Sequence, residues 1–302
     1  MGVRITSTGV SRSGETHSVV THGGRAARQA IQRGGVRPEQ IGVLINTGVF
    51  RDSNTVEPAV AALIQQAAGL GLEYDKGDPT TFSFDLMNGA AGVVDAIGVA
   101  SAVLGAGGVE HVLIVAGDTH PSLTRAVADD AFPYATASVA ILLERTDEPD
   151  GFGRVHTAAA PGDPGTRAYV DTATMGTAGR GEMTVERDAD FEDRLLPVAL
   201  AAARAALDDS DDPATTALIA STPGPRFPLR LAEALGLPAD AVRLPDLTDG
   251  DPHTAALPLA YDRAVREQTL ADYTSVLFVA AGAGPAASAV RYRLPALVGA
   301  RP

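Results

Sequence analysis

The sequence predicts an α/β fold built from two similar halves. Short apolar runs alternate with amphipathic helical stretches along the chain. The order β-α-β-α-β-α-β-β occurs twice, and the turn sequence EPDG at Glu148–Gly151 separates the two passes. A single doubly wound domain would also alternate strands and helices, but it gives no reason for each half to end in two consecutive strands. We therefore expect one half over residues 1–148 and a second half over residues 151–302.

The first half contains five predicted strands and three predicted helices. The runs IGVLINT and HVLIVA are short, continuous and apolar, which is typical of strands buried on both faces. The third helix is rich in small residues. In chain order the predicted elements are strand Val3–Gly9, helix His22–Arg33, strand Ile41–Thr47, helix Glu57–Ala68, strand Thr81–Leu86, helix Ala90–Leu104, strand His111–Ala116 and strand Ala137–Glu144.

The second half repeats that order with its own signals. The run SVLFVAA again predicts a buried strand, and a further strand follows it directly. The predicted elements are strand Phe152–Ala159, helix Phe191–Leu207, strand Leu218–Ala220, helix Phe227–Leu235, strand Val242–Leu244, helix Thr254–Glu267, strand Ser275–Ala281 and strand Ala286–Arg293. Because apolar strands alternate with helices, both predicted sheets are expected to be covered on their two faces.

Composition excludes several classes of function. The chain of 302 residues is 45% hydrophobic and 20% charged, as expected for a globular protein. Its net charge of −13 would repel a phosphate backbone, so we expect no nucleic-acid partner. There is no cysteine, which excludes disulfides, thiolate metal sites and thiol catalysis. No uninterrupted apolar run reaches membrane-spanning length and MGVRITSTG lacks an apolar signal core, so we expect no membrane association and a cytoplasmic location.

No metal or cofactor is expected from the histidine pattern. Four histidines occur singly, without the spacing to another histidine or an acidic residue that metal sites favour. They are His17, His22, His111 and His156.

Several segments resemble the type III ketoacyl synthases. The segment FSFDLMNGAAGVVDAIGVASAVLGAGGVEHVLIVAGDT at Phe82–Thr119 is similar to that family's nucleophile elbow and following helix. The segment AARQAIQRGGVRPEQIGVLINTGVF is similar to the helix, strand and turn that precede them. The segments RLAEALGLP and GDPHTAALPLAYDRAVREQTL resemble the family's histidine-containing and asparagine-containing regions. The resemblance implies the thiolase fold, with layers α/β/α/β/α, and a dimer joined through the strand Thr81–Leu86.

The chain departs from the family at every catalytic position. Ala90 stands where the resemblance implies the nucleophilic cysteine, and a methyl group cannot be acylated. The family's His-Gln-Ala-Asn motif aligns with residues 221–224, so Ser221 replaces the histidine and Gly224 the asparagine. Asp251 replaces the second active-site asparagine, and a carboxylate there would repel a developing enolate. The tryptophan-containing coenzyme A clamp is also missing. We therefore expect ordinary decarboxylative condensation to be absent.

Three residues are candidates for a different catalytic site. His253, two residues beyond Asp251, is a candidate general base or acid, paired with Asp251 or serving Ser221 as nucleophile. The plainer interpretation is that Asp251 caps a helix and that His253 is a first-turn residue near the pocket mouth. For Ser221 and Thr222, the plainer interpretation is a solvated turn before Pro223.

Asn88, Ala90, His120, Thr222 and Arg226 are candidates for the pocket or for an interface. Asn88 either caps the helix that begins near Ala90 or projects toward a partner subunit. His120 follows a strand and is interpreted as a surface or interface histidine. Arg226 is interpreted as half of a structural ion pair, with contact to a carrier protein as the alternative.

Two main functions remain open. The first is a partner or structural subunit of a catalytically active ketosynthase in fatty-acyl or polyketide-type secondary metabolism. It would be a homodimer, or a heterodimer with a cysteine-containing ketosynthase paralogue, and an acyl carrier protein or acyl thioester is a further candidate partner. The second is an acyltransferase, cyclase or hydrolase that uses His253 with Asp251 or Ser221. A regulator that retains the acyl pocket as a sensor is a third possibility.

Overall fold

The computed structural model describes residues 2–12, 14, 16–55, 57–71, 81–122, 132–173, 182–208, 211–282 and 284–295. Two mixed β-sheets organise these residues, one formed by residues 2–146 and the other by residues 151–293. The exact division at residues 148–151 stays a prediction.

The first sheet contains five strands in the order β1-β5-β4-β2-β3. Strands β3, β2 and β4 run parallel to one another, whereas β5 is antiparallel to both β4 and β1. The described residues of this part of the chain also form three α-helices. The bounds are β1 Gly2–Arg12, α1 Val19–Gly34, β2 Ile41–Asn46, α2 Val60–Ala68, β3 Phe82–Asp85, α3 Gly92–Ala106, β4 His111–Asp118 and β5 Ala137–Thr146.

The second sheet repeats this arrangement in the order β11-β10-β12-β13-β6, with β7 also paired to β13. Its strands β11, β10 and β12 are parallel and β13 is antiparallel to β12, as in the first sheet. The bounds are β6 Gly151–Phe152, β7 His156–Ala159, β8 Thr166–Tyr169, β9 Thr184–Arg187, α4 Phe191–Ala206, β10 Thr216–Ala220, α5 Phe227–Leu235, β11 Val242–Arg243, α6 Ala256–Arg266, β12 Ser275–Gly282 and β13 Gly284–Arg293.

The helices form three layers around the two sheets. Helices α3 and α6 lie between the sheets, where residues such as Ile97 and Leu257 join one large core with apolar residues of both sheets. Helices α1 and α2 cover the outer face of the first sheet. Helices α4 and α5 cover the outer face of the second sheet. The predicted α/β/α/β/α layering is therefore confirmed.

Local departures from the prediction lie mainly in the second half. The predicted strand Phe152–Ala159 is divided into β6 and β7, although both parts pair with β13. The hairpin β8–β9 was not predicted, because its strands have four residues each and are mostly exposed or half-buried. The predicted helix Thr254–Glu267 begins as a 3-10 turn at His253–Ala255 before α6 starts.

The central helix α3 is unusually apolar. The stretch Gly89–Ala106 has a mean hydropathy of 1.7 and is long enough to cross a membrane by length and composition alone. In the fold this stretch packs between the two sheets, and Val94 and Ile97 belong to the large core. Its hydrophobicity is accounted for by this position in the core.

The topology places the carboxyl ends of the parallel strands of both sheets near one another. The turns after β2 and β10 and the end of β12 lie there, together with the turn before α3 and the 3-10 turn before α6. Ligands of open α/β sheets characteristically bind at the carboxyl ends of the strands. A functional site is therefore expected at this edge of the sheets.

A close approach between β1 and α1 gives a test of the packing. A Cβ atom built on Gly9 would lie 2.6 Å from the backbone nitrogen of Ala30 and would overlap the carbonyl oxygen of Ala26. Replacing Gly9 by alanine is expected to lower the free energy of unfolding by about 1–3 kcal/mol, because the helix must move away from the strand.

Urea denaturation provides the measurement, with Gly105→Ala as the matched control. A Cβ built on Gly105, in the last turn of α3, meets no atom within 4 Å. Its replacement should leave stability unchanged or slightly raised, because alanine is the better helix former. Equal stability of the two variants would contradict the close contact.

Candidate functional site

A cavity of about 130 Å³ lies at the carboxyl ends of the parallel strands. One wall is the turn at Gly89–Ala90 before helix α3, and another is the segment Ser221–Pro223 after β10. Asp251 and His253, from the turn before α6, also line it. The hairpin β8–β9 contributes Thr166, Ala168, Val185 and Arg187, and Tyr134 completes the polar part of the lining.

The turn before α3 has the geometry of a nucleophile elbow without a nucleophile. Gly89 has a φ of +49°, which glycine adopts without the penalty that a side chain would bring. The amide of Ala91 donates to the carbonyl of Asn88 at 3.0 Å, and the amide of Gly92 donates to that of Gly89 at 3.2 Å. This tight turn leaves the side chain of Ala90 at the cavity wall, 5% exposed. The group offered there is a methyl.

The predicted capping role of Asn88 is wrong. Its side-chain amide donates to the Asp95 carboxylate at 2.6 Å instead of accepting from a helix amide, and α3 has no side-chain cap at its N-terminus. Asp95 also accepts from Ser288 of β13 at 2.8 Å. Asn88 therefore stabilises the elbow through a side-chain network that reaches the second sheet.

The imidazole of His253 pairs with Asp118 and not with Asp251. Nδ1 of His253 lies 3.1 Å from Oδ2 of Asp118, the last residue of β4. Asp251 instead accepts from the backbone amide of His253 at 2.8 Å. The N-cap of this turn is Pro252, without a side-chain cap, so the capping interpretation of Asp251 is wrong as well. The predicted pairing of the His253 ring with Asp251 is therefore corrected, because adjacency in a tight turn brings the carboxylate to the backbone.

Asp118 is fully buried, and each hydrogen bond that the described residues make to it comes from a donor. Its Oδ1 accepts from the amides of Val49 and Phe50, at 3.0 and 2.8 Å. Its Oδ2 accepts from the amide of Thr254 at 3.0 Å and from the Thr254 hydroxyl at 2.5 Å, besides meeting His253. Burial alone would raise the pKa of Asp118, but the neighbouring His253 and the hydrogen bonds hold it below its usual value. Asp118 is therefore a carboxylate at neutral pH.

His253 is held in a costly backbone conformation. Its φ is +47°, in the left-handed region that residues with a Cβ rarely adopt. The ring stacks on Tyr134, with centroids 4.2 Å apart and planes inclined by 29°, and it also lies near the ring of Phe50. Such strain persists only where surrounding contacts enforce it, and it is frequent at functional sites.

Arg187 and Tyr134 form the cationic side of the cavity. Nη2 of Arg187 donates to the Tyr134 hydroxyl at 2.9 Å and lies 3.7 Å from Oδ2 of Asp251, while Nη1 donates to the carbonyl of Pro223 at 3.0 Å. Nε of Arg187 is buried and meets no acceptor among the described residues. Burial raises the pKa of Tyr134, against the opposing effect of Arg187, so the phenol stays protonated at neutral pH.

Ser221 and Thr222 are buried, so the prediction of a solvated turn is wrong. The Ser221 hydroxyl donates to the carbonyl of Ala281 at 2.8 Å and accepts from the amide of the same residue at 2.9 Å, which ties the ends of β10 and β12 together. The Thr222 hydroxyl donates to Asp251 at 2.9 Å. Within the described residues, no hydrogen bond joins Ser221 to His253, so this geometry does not favour Ser221 as a nucleophile.

The remaining candidates fall outside the cavity lining. His120 is fully buried and its Nδ1 accepts from the amide of Ser122 at 3.0 Å, which corrects the prediction of a surface or interface histidine. Arg226 is exposed and, in the part of the chain that the structure describes, makes no ion pair, contrary to prediction. At Gly224, a Cβ would overlap the carboxylate of Glu192, which occupies the space beside that backbone.

Three residues of the site were not predicted from the sequence. Asp118 could have been suspected, because a polar residue directly follows the buried strand HVLIVA at the edge where parallel strands end. Arg187 and Tyr134 belong to segments without a clear periodic pattern, so no comparable signal identified them. The described residues contain no group of three histidine, aspartate or glutamate side chains placed to hold a metal ion.

The left-handed conformation of His253 gives a test of the site geometry. Replacement by glycine and by alanine removes the same imidazole contacts, but only glycine relieves the backbone. We therefore expect His253→Gly to be more stable than His253→Ala by about 1 kcal/mol. Urea denaturation of both variants measures the difference. A more stable alanine variant would contradict the φ of +47°.

Comparison with known proteins confirms the resemblance. No protein-family model matches the chain. The Beta-ketoacyl-(acyl-carrier-protein) synthase III of Sphingopyxis alaskensis is 27% identical over 277 residues, which cover 88% of this chain and 81% of that protein. The 3-oxoacyl-(acyl carrier protein) synthase III of Pseudomonas aeruginosa superposes with a TM-score of 0.79 at 17% identity, covering 99% of this chain and 100% of the other.

A priming beta-ketosynthase of a polyketide biosynthetic pathway superposes with a TM-score of 0.76 at 20% identity, covering 97% of this chain and 96% of the other. At these identities the two solved structures establish the fold of this chain but not its chemistry. The chain is thus a thiolase-fold protein that resembles the type III beta-ketoacyl-ACP synthases.

Proposed function

We propose that this protein acts in fatty-acyl or polyketide-type biosynthesis as a ketosynthase-like subunit that does not perform decarboxylative condensation. Its principal role is that of a partner or structural subunit. It would pair either with a cysteine-containing ketosynthase or with a second copy of itself. The observation that carries this proposal is Ala90, a methyl at the tip of a well-formed elbow in a chain without cysteine.

The other family positions support the loss of condensation. The side chain of Ser221 is engaged with the backbone of Ala281, and Gly224 has no side chain at all. Asp251 adds a negative charge where the condensation would develop one. The scaffold around these positions is nevertheless densely hydrogen-bonded, as a subunit that must present a defined surface requires.

The outer strand β3 supports the partner role. Among the described residues it pairs with β2 alone, so no described strand occupies its other edge. Phe82 on this strand is 66% exposed and Met87, just beyond it, is 52% exposed. Large apolar side chains beside an unpaired strand edge suit an interface with a second subunit.

An acyl carrier protein or an acyl thioester remains a candidate partner of the cavity, and the cytoplasm remains the expected location.

Acylation of the elbow provides a first test. With acetyl-CoA, the natural chain is expected to show no acyl adduct by intact-protein mass spectrometry. Ala90→Cys should gain an adduct, because the thiol would sit at the positive end of α3. The matched control Gly105→Cys, near the other end of the same helix, should not gain one.

The same variants test the loss of condensation. Ala90→Cys is expected to release no carbon dioxide from malonyl-CoA, since Ser221, Gly224 and Asp251 still occupy the other catalytic positions. An acyl adduct on the natural chain, or condensation by the cysteine variant, would contradict the proposal.

Association through β3 provides a second test. Phe82→Glu places a charge in the proposed interface and should weaken self-association, or association with a co-expressed cysteine-containing ketosynthase, by at least tenfold. Leu229→Glu is the matched control, because Leu229 is also a large exposed apolar residue but lies on α5. Analytical ultracentrifugation measures both. Equal association of the two variants would argue against β3 as the interface.

The second candidate function is an acyltransferase, cyclase or hydrolase activity in the same cavity. The observation that favours it is the imidazole of His253, which lines the cavity and is oriented by a buried carboxylate. A chain retained only for its outer surface has no evident need for such an arrangement. The two candidates are compatible, because a partner subunit can carry its own active cavity.

A further inference from the structure

We propose that His253, positioned by Asp118, is the general base for direct transfer of an acyl group from a thioester to water or to a hydroxyl acceptor. The acyl group would lie in the cavity beside Ala90, and no acyl-enzyme would form. This inference rests on the second candidate function and specifies its mechanism and substrate class.

The hydrogen bonds around Asp118 determine the tautomer of His253. Both oxygens of this carboxylate act only as acceptors, and one of them meets Nδ1 of His253 at 3.1 Å. Nδ1 must therefore carry the proton in the neutral imidazole, which leaves the lone pair on Nε2. Among the described residues no hydrogen bond reaches Nε2. His253 lines the cavity, and its side chain is 10% exposed. The lone pair is thus available to a ligand there.

The hydroxyl groups and the carboxylate of the lining are already engaged in contacts, and the Asp251 carboxylate is held by Thr222, the amide of His253 and Arg187. The hydroxyl groups of Thr166, Ser221 and Thr222 donate to the Glu186 carbonyl, the Ala281 carbonyl and the Asp251 carboxylate, respectively. The remaining hydroxyl is the phenol of Tyr134, which accepts from Arg187 and stays protonated. Ala90 carries no reactive atom. With these groups engaged, direct passage to an external acceptor is the route that we propose for the acyl group.

The transfer balances without any cofactor. Nε2 of His253 takes the proton of the water or alcohol. At the same time the oxygen of that water or alcohol bonds to the thioester carbonyl carbon, and the carbonyl π electrons move to the carbonyl oxygen. The tetrahedral intermediate then reforms the carbonyl and breaks the carbon–sulfur bond, and the leaving thiolate takes the proton back from Nε2. The products are a free thiol and a carboxylic acid or an ester. Tyr134 and Arg187 are the donors in the lining that suit the carbonyl oxygen.

Three charged side chains lie around His253. The carboxylate of Asp118 contacts Nδ1 of His253, and the carboxylate of Asp251 accepts from its backbone amide. Arg187 opposes them but is itself 3.7 Å from Asp251, and Tyr134, which stacks on the ring, is neutral. Two carboxylates and one guanidinium are therefore the charged groups beside the ring that takes up the proton in the proposed transfer.

The experiment measures thiol release from acetyl and octanoyl thioesters of N-acetylcysteamine, which do not need coenzyme A recognition. A thiol-reactive dye reports only the product, because the protein contains no cysteine. The natural chain should release thiol, and His253→Asn should lose at least about 100-fold in rate, the usual contribution of a general base. The matched control His156→Asn, on β7 away from the cavity, should keep the full rate.

Two further variants separate catalysis from structure. His253→Gly removes the ring while suiting the backbone, and added imidazole should restore part of its rate, which a structural role would not allow. Asp118→Asn should lower kcat with little change in KM, because the base would lose its orientation.

Ethanol as acceptor distinguishes the two transfers: an ethyl ester identifies a hydroxyl acceptor, and the acid alone identifies water.

Three outcomes would overturn the inference: no thiol release from either thioester, equal rates for the natural chain and His253→Asn, or an acyl adduct on the protein during turnover. These outcomes leave the partner role untouched, since association through β3 is measured separately with Phe82→Glu. Conversely, loss of the partner role would not affect thiol release.

Discussion

The buried carboxylate of Asp118 is the interaction on which the rest of the site depends. It stands at the end of β4 and binds the amides of Val49 and Phe50, which follow β2 in the first sheet. It also binds His253 and Thr254, which belong to the turn before α6 in the second half of the chain. A buried charge is tolerated only when hydrogen bonds replace its lost hydration. The two halves must therefore meet in one arrangement at this point.

The consequences of that constraint extend across the cavity. With His253 fixed on Asp118, its ring stacks on Tyr134, and Tyr134 in turn accepts from Arg187. Arg187 approaches Asp251, which holds the backbone of His253. The contacts of His253, Tyr134, Arg187 and Asp251 thus form a closed circuit in the cavity lining, which also includes Ala90. In the function that we propose, Ala90 in place of a nucleophile is one part of a site whose neighbouring polar residues also serve other roles.

The sequence was sufficient to predict the duplicated order of strands and helices, because buried parallel strands appear as continuous apolar runs such as HVLIVA and SVLFVAA. It was insufficient for the hairpin β8–β9, whose short exposed strands bury too little apolar surface to leave a pattern. The position of Ala90 was predicted from its motif. The Asp118–His253 pair joins residues 135 positions apart, so no local spacing could indicate it. Asp251 was the apparent partner of the ring only because it is close in sequence.

The most direct test of this account is the tautomer of His253, measured by long-range nitrogen–proton NMR on histidine-labelled protein at about pH 8, where histidines are ordinarily neutral. His253→Asn identifies the signal. The account predicts a protonated Nδ1 and an unprotonated Nε2. A protonated Nε2 with a free Nδ1 would show that Asp118 does not hold the ring, and the proposed base would be lost.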